Sequence, residues 1–295
     1  VLNWKTKEKV IKNTLLFFAF SSILFLAGII VVLFNEGAPI FAKVGIFKFM
    51  FTGDWYPTYD PAGFGIYNLL AASIVVTIGA MVFAVPFGVA SAVYISYILP
   101  KRFKNIVKPT IEMLAGVPSV IYGLFGMKIL SPYIKELFGL PTGLNALTAM
   151  IMLGIMALPT IVSLSEDAIT AVPKSFRDAS LALGGTRLET MVRVILPTAS
   201  SGIVTAIILG MGRAIGETMT VLMVAGGASL FPSNILKPVR PMTATIAAEM
   251  GEAPVGSDHY QALFGIAIIL FIITLIFNIF ADMAQQRFKK KVSGE

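Results

Sequence analysis

Uncharged apolar runs alternate along this chain with short polar stretches that carry most of the basic residues. A bilayer crossing takes about 20 mostly apolar residues, and six stretches qualify, at roughly 13–34, 67–98, 110–130, 144–164, 202–226 and 262–284. The pattern predicts an all-α integral membrane protein with six transmembrane helices, organised as one domain over 1–295. The run Leu15–Phe34 is longer than the apolar core of a signal peptide, and no A-x-A-like site follows it, so it is expected to remain as the first span. The second stretch exceeds the length of one perpendicular span; tilt, or a kink at Pro86, is expected to absorb the excess.

Lysine and arginine assign the sides. Four lie at the N-terminus (Lys5, Lys7, Lys9, Lys12), four in 99–109 (Lys101, Arg102, Lys104, Lys108), four in 165–201 (Lys174, Arg177, Arg187, Arg193) and four at the C-terminus (Arg287, Lys289, Lys290, Lys291). The opposite loops hold Lys43, Lys48, Lys135, Lys237 and Arg240, so sixteen against five places both termini in the cytoplasm of a multi-pass protein. Two outer loops, 35–66 and 227–261, are rich in Gly, Pro and aromatic residues. They suit either interfacial anchoring or a landing surface for a soluble partner.

Composition agrees with a membrane protein: 56% of residues are hydrophobic and 13% charged, against about 25% charged in soluble domains. The net charge of +7 is split among short clusters between spans, which argues against nucleic-acid binding and for orientation in a lipid membrane. Without cysteine there is no disulfide framework and no thiolate metal site. The single histidine, His259, follows a Gly- and Pro-containing loop and is expected to face solvent; a metal site takes three or four ligands.

The cytoplasmic segment 165–200 is more patterned than a connector. Pro173 suits a first helical position, and Phe176, Ala179, Ser180 and Leu183 fall on one face of a short helix that Gly184 and Gly185 end. Thr186 and Glu189 have the spacing of a capping box that starts a second helix, with Leu188, Met191, Val192 and Ile195 as its apolar face before Pro197. Asp178 and Glu189 on the polar side favour docking to a protein over lying on lipid.

This segment resembles the EAA motif of the membrane subunits of ATP-binding-cassette importers, which reads E-A-A, three residues, G, nine residues, I-x-L-P. Here Asp178-Ala179-Ser180, Gly184 and Val194-Ile195-Leu196-Pro197 stand at that spacing, with Asp for Glu, Ser for the second Ala and Val for Ile. The stretches IEMLAGVPSVIYGLFG (111–126) and GMGRAIGETMTVLMVAGG (210–227) are similar to segments of the phosphate-specific importer permeases, the PstC type more than the PstA type. The resemblance implies a type I ABC importer permease fold in a prokaryotic inner membrane. It also implies coupling to an ATPase through Phe176, Asp178, Ala179, Ser180, Leu183, Gly184, Leu196 and Pro197. The partners it implies are a homologous PstA-like permease, two PstB-like ATPase subunits and a PstS-like extracytoplasmic phosphate-binding protein. The chain has no G-x-x-x-x-G-K-[ST] loop, so it is expected to bind no cofactor itself, with ATP and Mg on the partner ATPase.

Arg213 and Glu217 stand four apart inside the fifth span, where a charge facing lipid is costly. On one helix they pair with each other, with Thr220 and Val224 continuing the same face. Two readings stay open. One is a structural ion pair helped by the Gly212-x-x-x-Gly216 spacing. The other is a pair lining an anion pathway, where the guanidinium fork suits phosphate oxygens and Glu217 holds Arg213 between anions. Glu112 is either a carboxylate at the start of span three favoured by the helix dipole or a gating group. Pro118 frees a backbone carbonyl or kinks the helix, and Ser119 and Tyr122 face the resulting cavity. The alternatives to a phosphate importer are a secondary anion transporter driven by an ion gradient, disfavoured because neither inverted repeats nor broken helices are evident, and an ABC permease for another oxyanion. An intramembrane enzyme is disfavoured by the lack of H-E-x-x-H, G-x-S-x-G or paired acidic metal sites.

Overall fold

The computed structural model describes residues 4–293; residues 1–3 and 294–295 of the expected domain lie outside the described residues. Five helices are long and apolar enough to cross a membrane, and a sharply bent pair makes a sixth span. The centre is α7 (Ala146–Thr170), which Asn145 starts by accepting the Thr148 amide on its side-chain oxygen at 2.9 Å. Helices α3 (Tyr67–Val93) and α10 (Leu196–Ile215) pack on α7. Small residues on α3 (Ala72, Ala80, Ala84) meet Met152, Leu153, Met156 and Ile161 of α7, so the backbones approach closely and large side chains fill the gaps. The α3 helix runs on through a π turn, Tyr94–Ile98, and so reaches the expected end of span two.

Helix α1 (Trp4–Val44) is peripheral: the most apolar stretch of it buries nothing, and it packs on α13 (Asp258–Ser293). Beyond α1, the first outer loop is ordered as α2 (Ile46–Phe51) and a small antiparallel pair, β1 (Trp55–Tyr56) and β2 (Gly63–Phe64). With Met242 of α12 (Met242–Glu249) and Leu263 of α13, these elements bury Phe49, Trp55 and Ile66 in a second core at the aromatic end of the molecule.

Spans three and five are not the straight helices that hydrophobicity predicts. The third is α4 (Lys101–Ala115), then α5 (Ser119–Phe125), a π turn Gly126–Leu130 and α6 (Ser131–Phe138), bent by 91° between α4 and α5. Proline lacks an amide hydrogen and its ring clashes with the carbonyl four residues back, so Pro118 ends the continuity predicted for 110–130. The stretch 99–109, expected to be a loop, is largely the first half of α4, fastened to α7 by Lys104 and Lys108 on the buried carboxylate of Glu166.

The fifth span starts earlier and breaks inside. A single helical run, Arg187–Ile215, contains α9 (Arg187–Thr190), a π turn Met191–Ile195 and α10. The second helix expected in 165–200 therefore does not stop before Pro197; it continues into the span, and Met191 and Ile195 are buried while Leu188 and Val192 stay exposed. Past α10 the chain breaks at residues 216–218 and restarts as α11 (Met219–Val224).

Candidate functional site

The two breaks are stitched together. Gly116 ends α4 with φ −85° and ψ −6°, and Gly216 ends α10 with φ −87° and ψ −3°. A helix C-terminus leaves carbonyls without intrahelical partners. Side chains supply them here: Arg213 Nη2 donates to the Ala115 carbonyl at 2.9 Å, and Tyr122 Oη donates to the Leu114 carbonyl at 2.9 Å. Arg213 Nη1 also donates to Thr160 Oγ1 of α7 at 3.2 Å. The guanidinium thus sits at the C-terminus of α4, where the helix dipole favours a cation.

On the other side of the junction Thr220 Oγ1 donates to the Ser119 carbonyl at 3.0 Å, joining the first residue of α5 to α11. Glu217 Oε1 accepts the Thr220 amide at 3.1 Å, and the Glu217 carbonyl accepts Thr243 Oγ1 of α12 at 2.8 Å. Four of the residues expected at a pathway, Arg213, Tyr122, Ser119 and Thr220, therefore meet in one hydrogen-bonded junction, with Glu217 beside it.

Three expectations about this region are corrected. Arg213 and Glu217 do not share a helix face, because the chain leaves the helix at Gly216; among the described residues no ion pair joins them. Thr220 and Val224 accordingly belong to α11, where both are buried. Glu112 lies in the last turn of α4, not at a helix start, so the dipole opposes its charge; it accepts Ser163 Oγ at 3.1 Å. The Gly212/Gly216 pair makes no close helix contact: a Cβ at Gly212 meets nothing within 4 Å. Gly212 and Arg213 instead line a cavity of about 290 Å³ between α10 and α13, with Thr274 and Asn278 as its other polar walls.

The segment 165–200 has the expected helical form with small shifts. Helix α8 (Lys174–Ala182) follows Pro173, which caps it from just outside, and Gly184 turns the chain with φ +84°. The capping box is complete: Thr186 Oγ1 accepts the Glu189 amide at 3.3 Å and Glu189 Oε2 accepts the Thr186 amide at 2.9 Å. Ser180 and Thr190 hydroxyls meet at 2.9 Å and hold α8 against α9. Phe176, Ala179, Ser180, Leu183, Gly184 and Val194 line an open groove of about 550 Å³. Leu183 is 89% exposed and Leu188 72%. Asp178 lies on the exposed side of α8, and Leu196 and Pro197 continue the run into α10.

At the aromatic end, sequence reasoning missed a cluster. Glu249 of α12 accepts Trp55 Nε1 at 3.0 Å, pairs with Arg240, and lies 2.9 Å from His259 Nε2. The His259 side chain is 11% exposed, so the expectation that it faces solvent is corrected: in the first turn of α13 it packs edge-on against Trp55 of β1. The partners come from three separate segments of the chain, which no local spacing could bring together. Tyr56, Tyr59 and Glu252 complete the walls of a polar cleft of about 590 Å³.

Comparison with known proteins follows the same lines. Residues 84–294 match the family described as binding-protein-dependent transport system inner membrane component. The chain is 36% identical to YqgH of Bacillus subtilis, named as an ABC transporter permease protein, over 78% of this chain and 74% of that one. It is 31% identical to the phosphate transport system permease protein PstC of Pasteurella multocida, over 98% of this chain and 95% of the other. Among solved structures, a bacterial alginate ABC transporter superposes with a TM-score of 0.66 at 13% identity, covering 97% of this chain and 98% of that one. The MetNI methionine ABC transporter gives 0.56 at 20% identity, covering 76% and 94%. These structures share the fold of type I ABC importer permeases with this chain. With a family match over most of its length and a multi-span helical fold to go with it, this chain belongs to the binding-protein-dependent transport system inner membrane components, the transport subunits of ABC importers.

Proposed function

We propose that this chain is the permease subunit of an ATP-driven inorganic phosphate importer, forming half of the translocation route. The observation that carries the reading is the junction of the two broken spans around Arg213, in a sequence similar to a phosphate permease along nearly its whole length. Guanidinium has five donors in a planar fork. Two groups hold Arg213 as described, the Ala115 carbonyl and the Thr160 hydroxyl, so donors remain for the oxygens of a passing phosphate. Between anions the helix terminus, not Glu217, keeps Arg213 in place. Ser119, Tyr122 and Thr220 keep the breaks in register, and Glu217 and Glu112 are the nearby negative groups that oppose retention of the anion.

The partners in this reading are a homologous PstA-like permease, two PstB-like ATPase subunits and a PstS-like phosphate-binding protein on the outer side. The ATPases dock in the groove between α8 and α9, where exposed Phe176 and Leu183 supply apolar contact. ATP and Mg belong to those subunits, since this chain has no phosphate-cradling loop. Both termini lie in the cytoplasm, as the sixteen-to-five distribution of basic residues favours. The whole chain, 1–295, works as one permease domain.

Labelled phosphate uptake into proteoliposomes holding the assembled complex tests this. Uptake is expected to require the binding protein and ATP on the ATPase side, and to survive an uncoupler. Loss of uptake on collapsing the ion gradient with ATP intact identifies a secondary anion carrier instead, a reading that the two broken helices also suit. ATP-dependent uptake of a different tetrahedral oxyanion in place of phosphate reassigns the substrate.

A further inference from the structure

Polar contacts hold α4 to α7 at successive heights. At the start of α4, Lys104 pairs with Glu166 and donates to Thr170 Oγ1 at 3.2 Å. One turn on, Lys108 stands 2.7 Å from Glu166 Oε2 and pairs with Asp167 as well. Glu112 then accepts Ser163 Oγ at 3.1 Å. The last contact is the Ala115 carbonyl, which Arg213 links to Thr160. Positions 104, 108, 112 and 115 recur at helical spacing along α4, and 170, 167, 163 and 160 do so along α7 in the opposite sense, so the contacts form one ladder that ends at the guanidinium.

The ladder fixes α4 because little else does. No side chain of α4 is buried, and the apolar members of its contact face, Val107, Ile111 and Ala115, are only half-buried. So small an apolar face discriminates weakly between registers on α7; pairing at fixed heights discriminates well. At the foot of the ladder the Glu166 side chain is 1% exposed, and Thr170 Oγ1 donates to its Oε1 at 2.6 Å, so the carboxylate is also held from its own helix. A buried ion pair adds little net stability over apolar side chains of the same volume, and its best-attested use is to set register. A slide of one turn, about 5.4 Å, would carry the Ala115 carbonyl out of hydrogen-bond reach and leave Thr160 as the only one of the two groups on Arg213.

We propose that Glu166 is a positioning residue for Arg213: with Lys104 and Lys108 it sets the register of α4 on α7, and through the Ala115 carbonyl it fixes the plane in which the guanidinium presents its remaining donors to the anion. This rests on the reading of Arg213 as an anion contact in a phosphate-importing permease. Glu166 itself never meets the anion. A planar fork depends on orientation, whereas an ammonium with rotatable donors does not, so the effect of Glu166 is specific to arginine at position 213.

ATP-driven uptake of labelled inorganic phosphate by the assembled complex in proteoliposomes, well below its melting temperature and per complex recovered, tests this in a double-mutant cycle. Glu166→Gln is expected to lower the maximal rate about tenfold and to leave the half-saturating phosphate concentration within about twofold, because the outer binding protein sets the latter in this reading. Glu166→Asp, which keeps the charge for two flexible lysines, is expected to stay within about twofold of the parent. In an Arg213→Lys background, Glu166→Gln is expected to cost no more than about a further twofold. Parental uptake by Glu166→Gln, a loss in Glu166→Asp as deep as in Glu166→Gln, or the same tenfold loss in both backgrounds overturns the proposal; the last leaves Glu166 as a brace of the fold. If Glu166→Gln does not assemble, Lys108→Met, which leaves Lys104 on the carboxylate, goes through the same cycle. Its expected loss is about threefold with Arg213 present and none with Arg213→Lys, and parental uptake or equal losses overturn the proposal there too. A parent complex that imports no phosphate refutes the importer reading itself, an outcome read before any variant is compared.

Discussion

Replacing Arg213 by glutamine separates structure from transport. The substitution removes a charged donor from the Ala115 carbonyl at 2.9 Å and from Thr160 at 3.2 Å. Hydrogen bonds to charged groups contribute about 1.5–3 kcal/mol net, and a carbonyl left unpaired costs about 1–3 kcal/mol. Against this, a neutral side chain no longer carries the roughly 2.5–3.5 kcal/mol cost of a charge within a span, and the glutamine amide still offers a donor. The terms oppose one another at similar size, so the thermal midpoint and abundance of the purified complex are expected to change little. Transport has no such offset. Losing a bidentate charged contact to phosphate worth about 3 kcal/mol lowers uptake about 100-fold. Arg213→Lys, which keeps the charge without the fork, is expected to fall between, near a tenfold loss. ATP-driven uptake of labelled phosphate in proteoliposomes, normalised to complex recovered, is the assay. Normal uptake by Arg213→Gln at normal abundance refutes the anion role. A collapse of abundance that accounts for the whole loss of uptake shows that Arg213 acts as a brace only.

Other changes report on other parts of the molecule. Gly184→Val forces a β-branched residue into φ +84° with no clash to blame, since nothing lies within 4 Å of its Cβ; ATPase copurification with the permease is expected to drop while the span helices keep their circular dichroism. Thr186→Ala opens the capping box and destabilises the start of α9 by about 1 kcal/mol, read as about fivefold faster amide exchange at the Glu189 amide. Glu166→Gln leaves Lys104 and Lys108 without their shared, 1%-exposed carboxylate; breaking such a buried pair costs about 3–5 kcal/mol, so the complex is expected to melt several degrees lower. Lys104→Met removes one of two cations and is expected to cost less, because Lys108 still meets Glu166 and Asp167.

Much of this protein follows from local chemistry. Apolar runs of spanning length set the number of spans and their approximate positions, because the bilayer leaves a backbone few options but the helix. The turn at Gly184 and the Thr186/Glu189 capping box could be read from neighbouring residues, since a glycine in the left-handed region and a box three residues wide are complete within one turn of chain. Pro118 marked a break for the same reason.

What the folded chain decided are the long-range pairings. Arg213 looked like a partner for Glu217 because the residues are four apart, but the helix stops at Gly216, and the guanidinium finds the Ala115 carbonyl, 98 residues away in sequence at the end of α4. His259 looked exposed until Trp55 and Glu249 closed around it. Residue spacing states which groups can meet on a continuing helix; whether it continues depends on the partners that satisfy the backbone where it breaks, and those come from other segments. The sequence by itself thus determined a six-span membrane chain with two short helices between spans four and five, while packing alone brought the two breaks together and closed the cluster around Glu249.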